Sequence, residues 1–205
     1  MLLNHTSDFA NFTAATTGAK PLVPPLLEPV EPIAAMDAGT RIETAKGWRS
    51  AGQLCAGDLV HTLDGGLVPV LTARSRQMPR YACDIWFIPQ GALNNCDAVR
   101  ITAAQSLLIS HSMCDALFGT PDVLVPARAM AGFRGITSGA GLAATHLVEL
   151  AFEQEEVIFA QSGTLLHCPA ASGKSDGFFR TLTYGEARAL LTLMSGNHYA
   201  PDLAA

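Results

Sequence analysis

The sequence has little charge, and the charge it has is scattered. Charged residues make up 15% of the 205 residues, and 13 Lys and Arg stand against 18 Asp and Glu, a net charge of −5. Because no basic run occurs, the electrostatic footprint of nucleic-acid binding is missing, and we expect no nucleic-acid partner. Apolar residues reach 49%, which argues against disorder and favours one compact domain with tails.

Paired cysteines and long apolar runs are missing as well. The five cysteines are Cys55, Cys83, Cys96, Cys114 and Cys168. Their odd number and wide spacing argue against a disulfide framework and favour a reducing compartment. No apolar run reaches the length of a membrane span, and the segment Met1–His5 has neither the basic region nor the apolar core of a signal peptide. We therefore expect a cytoplasmic protein without membrane contact.

The common signatures of cofactor and hydrolase sites do not occur. There is no G-x-S-x-G, Walker loop, H-E-x-x-H or dinucleotide fingerprint, so we expect no cofactor. His111-x-x-Cys114 and the pair Cys55 and His61 offer metal ligands, but two more ligands at suitable spacing are missing. We predict no metal site. The simpler interpretation is a loop histidine and small, buried, apolar cysteines.

Short β-strands separated by turns dominate the pattern. Residues 40–44 alternate between apolar or β-branched and charged side chains, which is typical of a half-buried strand. Asp64-Gly65-Gly66 predicts a hairpin between 59–63 and 67–71, because Asp and Gly tolerate positive φ. Pro69 cannot donate to a β-ladder, so the second of these strands is expected at an edge.

The remaining pattern predicts an all-β domain. Further strands are expected at 84–88, 99–109 (as two strands or one bent strand), 121–128, 146–150 and 157–160. Residues 132–141 are expected to be a loop because they are rich in Gly and Ser, and 153–156 to be a polar hairpin connection. Trp48 and Trp86 are expected in the core.

The two ends of the chain differ from this domain. Residues 1–32 are predicted to be a flexible tail followed by a Pro-rich linker, since five prolines between 21 and 32 block a helix. Residues 170–205 are predicted to be a loop and one helix. Thr183-Tyr184-Gly185-Glu186 fits a capping box. The apolar stripe that follows favours packing against the β domain, and a partner-binding helix is the alternative. Its members are Ala187, Leu190, Leu191 and Met194.

Two motifs in order resemble a known family. Residues 39–49 read G-T-x-I-x-T-x-x-G-W-R, and residues 57–66 read G-D-x-V-x-T-x-D-G-G. The stretches 97–109 and 123–128 add to the likeness. The chain resembles the Hint domain, the autoprocessing module of hedgehog proteins and inteins, in its bacterial branch. The resemblance covers about residues 33–169. It implies a flattened β-fold whose strands wrap around a central site.

The resemblance also implies a reaction, and the residues for it are incomplete. In the family a Cys, Ser or Thr attacks the carbonyl of the preceding peptide bond, and a T-x-x-H motif assists. The nucleophile position, four residues before the Gly-Thr pair, is Ala35 here, and the motif falls on Thr102-Ala103-Ala104-Gln105. A further family histidine falls near Glu155. A methyl group cannot attack, and an amide cannot exchange a proton near pH 7.

Other residues offer weaker routes to the same chemistry. Thr40 is a possible substitute nucleophile, but its alternating position is that of an ordinary strand residue. His167-Cys168 is similar to the end of an intein, without the Asn that such ends use for cyclisation. We therefore expect no catalytic residue and predict a Hint-like protein without self-cleavage, a structural or interaction module with an unidentified protein partner. The alternatives are an active autoprocessing protein with a displaced nucleophile, or a hydrolase or metal-binding protein that reuses the cleft.

Overall fold

The computed structural model describes residues 33–79, 84–140, 145–173 and 177–196. Within these ranges it contains fifteen β-strands and two α-helices. The predicted Pro-rich linker and Cys83 lie outside the described residues. The strands are β1 Met36–Asp37, β2 Arg41–Thr44, β3 Gly47–Ser50, β4 Leu59–Thr62, β5 Gly66–Pro69, β6 Thr72–Met78, β7 Asp84–Ile88, β8 Val99–Thr102, β9 Ser106–Ser110, β10 Asp122–Pro126, β11 Thr137–Ala140, β12 Thr145–Ala151, β13 Glu156–Ala160, β14 Thr164–Cys168 and β15 Arg180–Thr181. The helices are α1 Ser112–Phe118 and α2 Tyr184–Gly196.

The strands form two sheets, which confirms the all-β prediction. One sheet has six strands in the order β11-β7-β8-β1-β12-β6. The other has nine strands, with the order β15-β10-β9-β14-β13-β2-β4-β5 and β3 paired to β2. The pairings are antiparallel except that of β10 with β15, which is parallel. The short strand β1 lies between β8 and β12, so it places Met36 and Asp37 inside a sheet directly after Ala35.

The β4–β5 hairpin forms where the turn residues predict it. Thr62 pairs with Gly66, and Gly66 has a φ of 68°, a left-handed value that a side chain would resist. Thr62 Oγ1 accepts a hydrogen bond from the Gly65 N–H at 3.1 Å, which closes the turn. Strand β5 ends the nine-stranded sheet, so Pro69 does lie on an edge strand.

Two connections differ from the prediction. The Gly- and Ser-rich stretch contains a strand, β11, which pairs with β7 at the edge of the six-stranded sheet. Backbone groups alone carry that pairing, so the small side chains gave no periodic signal. Residues 153–156 do not join a hairpin. They lead from β12, in the six-stranded sheet, to β13, which pairs with β14 in the other sheet.

The largest cluster of buried side chains takes its members from both sheets and from α2, and two smaller clusters are separate from it among the described residues. Its largest fully buried members include Phe152, Met36, Ile42, Ile101 and Ile158. Trp86 is buried, as predicted, but Trp48 is exposed, because β3 is added at the side of the nine-stranded sheet and carries Trp48 on its outer face. The prediction of buried cysteines holds for Cys114 and Cys168.

Cys55 and Cys96 contradict that prediction, because both are exposed. Each lies in a connection between strands rather than on an inward-facing strand position. The four cysteines of the described residues are all free thiols.

The two helices have different sequence signals. Helix α2 begins where the capping box predicts it, and all four residues of its apolar stripe are buried in the core, so this stripe packs against the β domain. Helix α1 was not predicted. It has only seven residues, its N-cap is His111, whose Nδ1 accepts from the Met113 N–H, and Gly119 ends it at a φ of 70°. No helix among the described residues is long and apolar enough to cross a membrane.

Candidate functional site

Ala35 occupies the position that the resemblance assigns to the nucleophile. It directly precedes β1 and is fully buried. Its methyl group belongs to a small apolar cluster with Met78, Ile85 and Leu147, against which Ile33 packs. The cluster provides neither a lone pair nor a charge, so the side chain at this position takes part in packing only.

Thr102 brackets the peptide bond that precedes Ala35. The Ala35 N–H donates to Thr102 Oγ1 at 3.0 Å, and this hydroxyl donates to the Ile33 carbonyl. The Thr102 N–H in turn donates to the Ala35 carbonyl at 2.9 Å. Strands β1 and β8 bring these groups together, because Met36 pairs with Ile101. A threonine hydroxyl can orient this peptide bond, but it cannot serve as a base at neutral pH.

Gln105 uses its side-chain amide to join two strands. Its Nε2 donates to the His167 carbonyl at 2.6 Å and to the Ser106 carbonyl at 2.9 Å. Its backbone carbonyl accepts from the Ala127 N–H at 2.8 Å, and the side chain is buried. Both amide hydrogens are therefore used by carbonyl groups. At the position of the family histidine, this chain therefore has a side chain that connects the start of β9 with β14 through hydrogen bonds.

His167, whose carbonyl binds Gln105, pairs with Glu155 through its side chain. His167 Nε2 lies 3.4 Å from Glu155 Oε2, and Glu155 Oε1 accepts from the Phe178 N–H at 2.8 Å. Burial lowers the pKa of His167 below its ordinary value, against the opposing effects of the hydrogen bond and charge of Glu155. Because burial is the larger effect, we take the imidazole as neutral at pH 7. The His167 backbone carbonyl binds the Gln105 side chain, and the Gln105 N–H donates to the Thr102 carbonyl at 3.1 Å.

The two weaker nucleophile candidates, Cys168 and Thr40, are both buried. Cys168 is buried on β14, and burial raises the pKa of its thiol far above the usual range, so the reactive thiolate is suppressed. Thr40 is buried just before β2, and its backbone N–H donates to the Asp37 carbonyl at 2.9 Å. Hydrogen bonds connect Ala35 with Thr102 and Thr102 with Gln105. Thr40 and Cys168 have no described hydrogen bond to Ala35 or Thr102.

Sequence reasoning missed two roles in this region. One is the carbonyl-binding role of Gln105, and the other is the Glu155–His167 pair with its bond to Phe178. The glutamine in place of the family histidine is visible in the sequence, but its burial and its bond to the His167 carbonyl are not, because that carbonyl comes from a strand 62 residues away.

Three of the residues weighed as metal ligands have other surroundings in the structure. His111 Nδ1 caps α1, and the Cys114 thiol is buried, which raises its pKa. The Cys55 N–H donates to the Asp58 carboxylate at 2.9 Å, and Asp58 also pairs with Arg49 at 2.9 Å. Within the described residues no three His, Cys, Asp or Glu side chains are grouped so that they could hold a metal ion.

The strand arrangement and the residues around Ala35 define a class of protein. Residues 34–165 match the family model of the Hint domain, which is more than half of the chain. The chain belongs to the Hint domain family.

Solved structures of inteins are similar to this chain at low identity. A bacterial intein-like domain from Clostridium thermocellum is 15% identical with a TM-score of 0.47, and the match covers 66% of this chain and 99% of that one. A splice-inactive variant of the AceL NrdHF class 3 split intein is 11% identical with a TM-score of 0.47, covering 67% and 98%. The MchDnaB-1 intein is 14% identical with a TM-score of 0.42, covering 65% and 99%. No curated protein matches the chain.

Proposed function

We propose that this Hint-domain protein does not cleave itself and acts as a structural or interaction module. The observation that carries the proposal is the buried methyl group of Ala35, held in an apolar cluster at the position where the reaction requires a nucleophile. In this proposal residues 33–169 form the Hint-like domain, and residues 170–205 supply the loop and the helix that packs on it.

The chemistry supports the absence of self-cleavage at two separate steps. An acyl shift needs an oxygen or sulfur nucleophile next to the scissile carbonyl, and Ala35 has none. It also needs a group that moves a proton near neutral pH, and the Gln105 amide is neither acid nor base there. Since both Nε2 hydrogens of Gln105 are donated to carbonyls, a restored nucleophile alone would still lack its proton carrier.

One observation favours the alternative, an active protein with a displaced nucleophile. The Thr102 hydroxyl lies within hydrogen-bond distance of three backbone groups from Ile33 and Ala35. In this alternative the Thr102 oxygen attacks the Ile33 carbonyl carbon, the Ile33–Ala34 C–N bond breaks, and the hydroxyl proton goes to the Ala34 nitrogen, which leaves as an amine. Water then hydrolyses the ester at Thr102 and separates the fragments. The Thr102 hydroxyl has no described base beside it, and for this reason we prefer the first proposal.

The intact mass of freshly purified protein under denaturing conditions distinguishes the two. We expect one full-length mass with or without hydroxylamine and dithiothreitol. Fragments that meet near residues 33–35 would overturn the proposal, and their loss in Thr102→Val but not in Thr40→Val would identify the Thr102 oxygen as the nucleophile. Fragments that meet at residues 167–168 would instead place the reaction at the end of β14.

An exposed apolar face supports the interaction role. Cross-strand pairs share a face, so the pairs Leu59–Pro69 and His61–Leu67 put these side chains on the side opposite Val60. Trp48, paired with Glu43, lies on the same outer face. Leu59, Leu67 and Trp48 are all exposed. Large exposed apolar faces on soluble domains often bind partners.

A site-specific crosslink tests this role. We expect a photo-reactive residue at position 67 to capture a defined protein that Leu59→Lys abolishes. The same residue at position 117, an exposed leucine on α1, is the matched control and should not capture it. Equal capture at both positions, or capture insensitive to Leu59→Lys, would contradict the use of this face.

A further inference from the structure

A cavity of about 250 Å³ lies away from the Ala35–Thr102 region. It is half open to solvent and is lined by strand β9, the 93–94 segment, the 133–134 turn, one residue of β14 and the last turn of α2. Its apolar lining consists of Leu93, Leu107, Leu108, Ile109, Phe133, Leu165 and Met194, and its polar lining of Asn94, Ser110, His111 and Arg134. The volume lies slightly below the roughly 300–1,000 Å³ of sites for drug-sized ligands, so a small ligand fits it.

The polar walls of the cavity are held in uncommon backbone conformations. Asn94 has a φ of 61° and Arg134 a φ of 44°, in the left-handed region. An arginine is costly in that region, and such strain persists only where the surroundings fix it. A Cβ on Gly163 would lie 2.1 Å from the Asn94 carbonyl oxygen, so the backbones approach too closely there for any side chain. The cavity shape is therefore built into the backbone.

The polar lining supplies hydrogen-bond donors and one positive charge. The Arg134 guanidinium stacks on the Phe133 ring, 5.1 Å from its centroid, and one of its nitrogens donates to the Ala92 carbonyl at 3.2 Å. His111 Nδ1 accepts from the Met113 N–H, so the neutral ring carries its proton on Nε2. Among the described residues that line the cavity there is no Asp or Glu.

An arginine without any carboxylate among the described lining residues favours an anionic ligand. In a chain of net charge −5, a described lining with one arginine and no acidic residue is a local departure from the overall balance. Arginine forms paired hydrogen bonds with planar carboxylates, and the apolar floor favours a hydrocarbon body. We propose that this cavity binds a small monocarboxylate with a short hydrocarbon body, its carboxylate at Arg134 and His111 and its body against Phe133, Leu165 and Met194.

Three probes with the same six-carbon body test the proposal: hexanoate, 1-hexanol and hexylamine, titrated into the full chain by NMR at fixed ionic strength. We expect saturable shifts at residues of the cavity with hexanoate, and binding at least tenfold weaker for the alcohol and the amine. Inorganic phosphate is the fourth probe. Equal binding of hexanol would show a merely apolar cavity, and equal binding of phosphate a mere anion site; either result would overturn the proposal.

Variants separate the ligand contacts from folding. Arg134→Asn removes the charge but tolerates positive φ, and His111→Asn keeps an acceptor for the Met113 N–H while removing the ring. We expect each to weaken hexanoate about tenfold. Arg76→Gln, which breaks a surface pair with Glu149 outside the cavity, is the control and should leave binding unchanged. Folding is checked by the urea midpoint, and folded Arg134→Asn and His111→Asn proteins that both bind hexanoate normally would contradict the proposal.

Discussion

At the scale of single residues, Thr102 joins β8 to the chain segment before β1 through both its side chain and its backbone. The hydroxyl accepts from one buried N–H and donates to one carbonyl, and the backbone N–H holds a second carbonyl. This arrangement holds the backbone on both sides of the peptide bond before Ala35 in place.

We predict that Thr102→Val destabilises the protein by about 1–3 kcal/mol, because it leaves the buried Ala35 N–H without its acceptor. Equilibrium unfolding in urea measures the change. Thr102→Ser keeps the hydroxyl and should cost less. If the valine and serine variants unfold at the same urea concentration, the hydroxyl does not hold this segment.

His167 gives a second prediction at this scale. Burial lowers its pKa in the folded protein, so the unfolded chain binds the proton more readily. Its contribution to stability is present above the ordinary histidine pKa of about 6.5 and is lost as the pH falls from there through the lower folded pKa. We expect the free energy of unfolding to fall less steeply below pH 6.5 in His167→Gln than in the wild type.

The matched control for that experiment is His146→Gln, since His146 is exposed on β12. Its pH dependence should follow the wild type. An unchanged slope in His167→Gln would show that protonation of this ring is not disfavoured by folding.

At the scale of elements, α2 shows how a local signal fixes a helix start. The Thr183 N–H donates to Glu186 Oε2 at 2.8 Å, and the Glu186 N–H donates to Thr183 Oγ1 at 3.3 Å. These are the reciprocal bonds of a capping box. The bond from the Thr183 backbone is the main cause that lowers the pKa of the Glu186 carboxyl, with smaller contributions from the Thr183 hydroxyl and Arg180.

We predict a pH-dependent effect of Glu186→Gln. A lowered folded pKa means that the carboxylate stabilises the fold above the ordinary glutamate pKa of about 4.3, and that this contribution is lost as the pH falls through the folded value. The urea midpoint of the variant should therefore lie below that of the wild type at pH 7, and the gap should narrow as the pH falls below about 4.3. Glu153→Gln, at an exposed position, is the control, and a gap that does not change with pH would argue against the carboxylate.

The elements that the sequence predicts are those whose signals are local. The β4–β5 hairpin, the edge position of Pro69 and helix α2 were predictable, because turn, proline and capping chemistry act within a few residues. Strand β11 and helix α1 were missed. The first is held by backbone pairing with β7, and the second by an N-cap from a histidine, so neither left a periodic pattern.

For the candidate site, the sequence predicted residue types and not partners. The methyl of Ala35 and the amide of Gln105 could be read directly. Their surroundings could not, since Gln105 binds a carbonyl from β14 and Ala35 packs on residues of β6, β7 and β12. Contacts of this range depend on the order of strands in the sheets, and short-range patterns do not determine that order.

At the scale of the whole molecule, one close backbone approach connects distant segments. Gly163 lies against Asn94, so Gly163→Ala would place a Cβ 2.1 Å from a backbone oxygen. We predict a loss of at least about 1–3 kcal/mol in the free energy of unfolding. Gly185→Ala, in α2 with open space around it, is the matched control and should raise stability by up to about 1 kcal/mol. Similar effects of both substitutions would contradict the described packing.

The C-terminal segment has a consequence for any attempt to see cleavage in this protein. Strand β15 pairs in parallel with β10, and Leu182, Leu190 and Leu191 belong to the main core, although they lie beyond the family match. A chain cut near residue 168 would behave as two complementing fragments of one folded body. It would elute, sediment and scatter as an uncut molecule, and only denaturation would separate the two pieces.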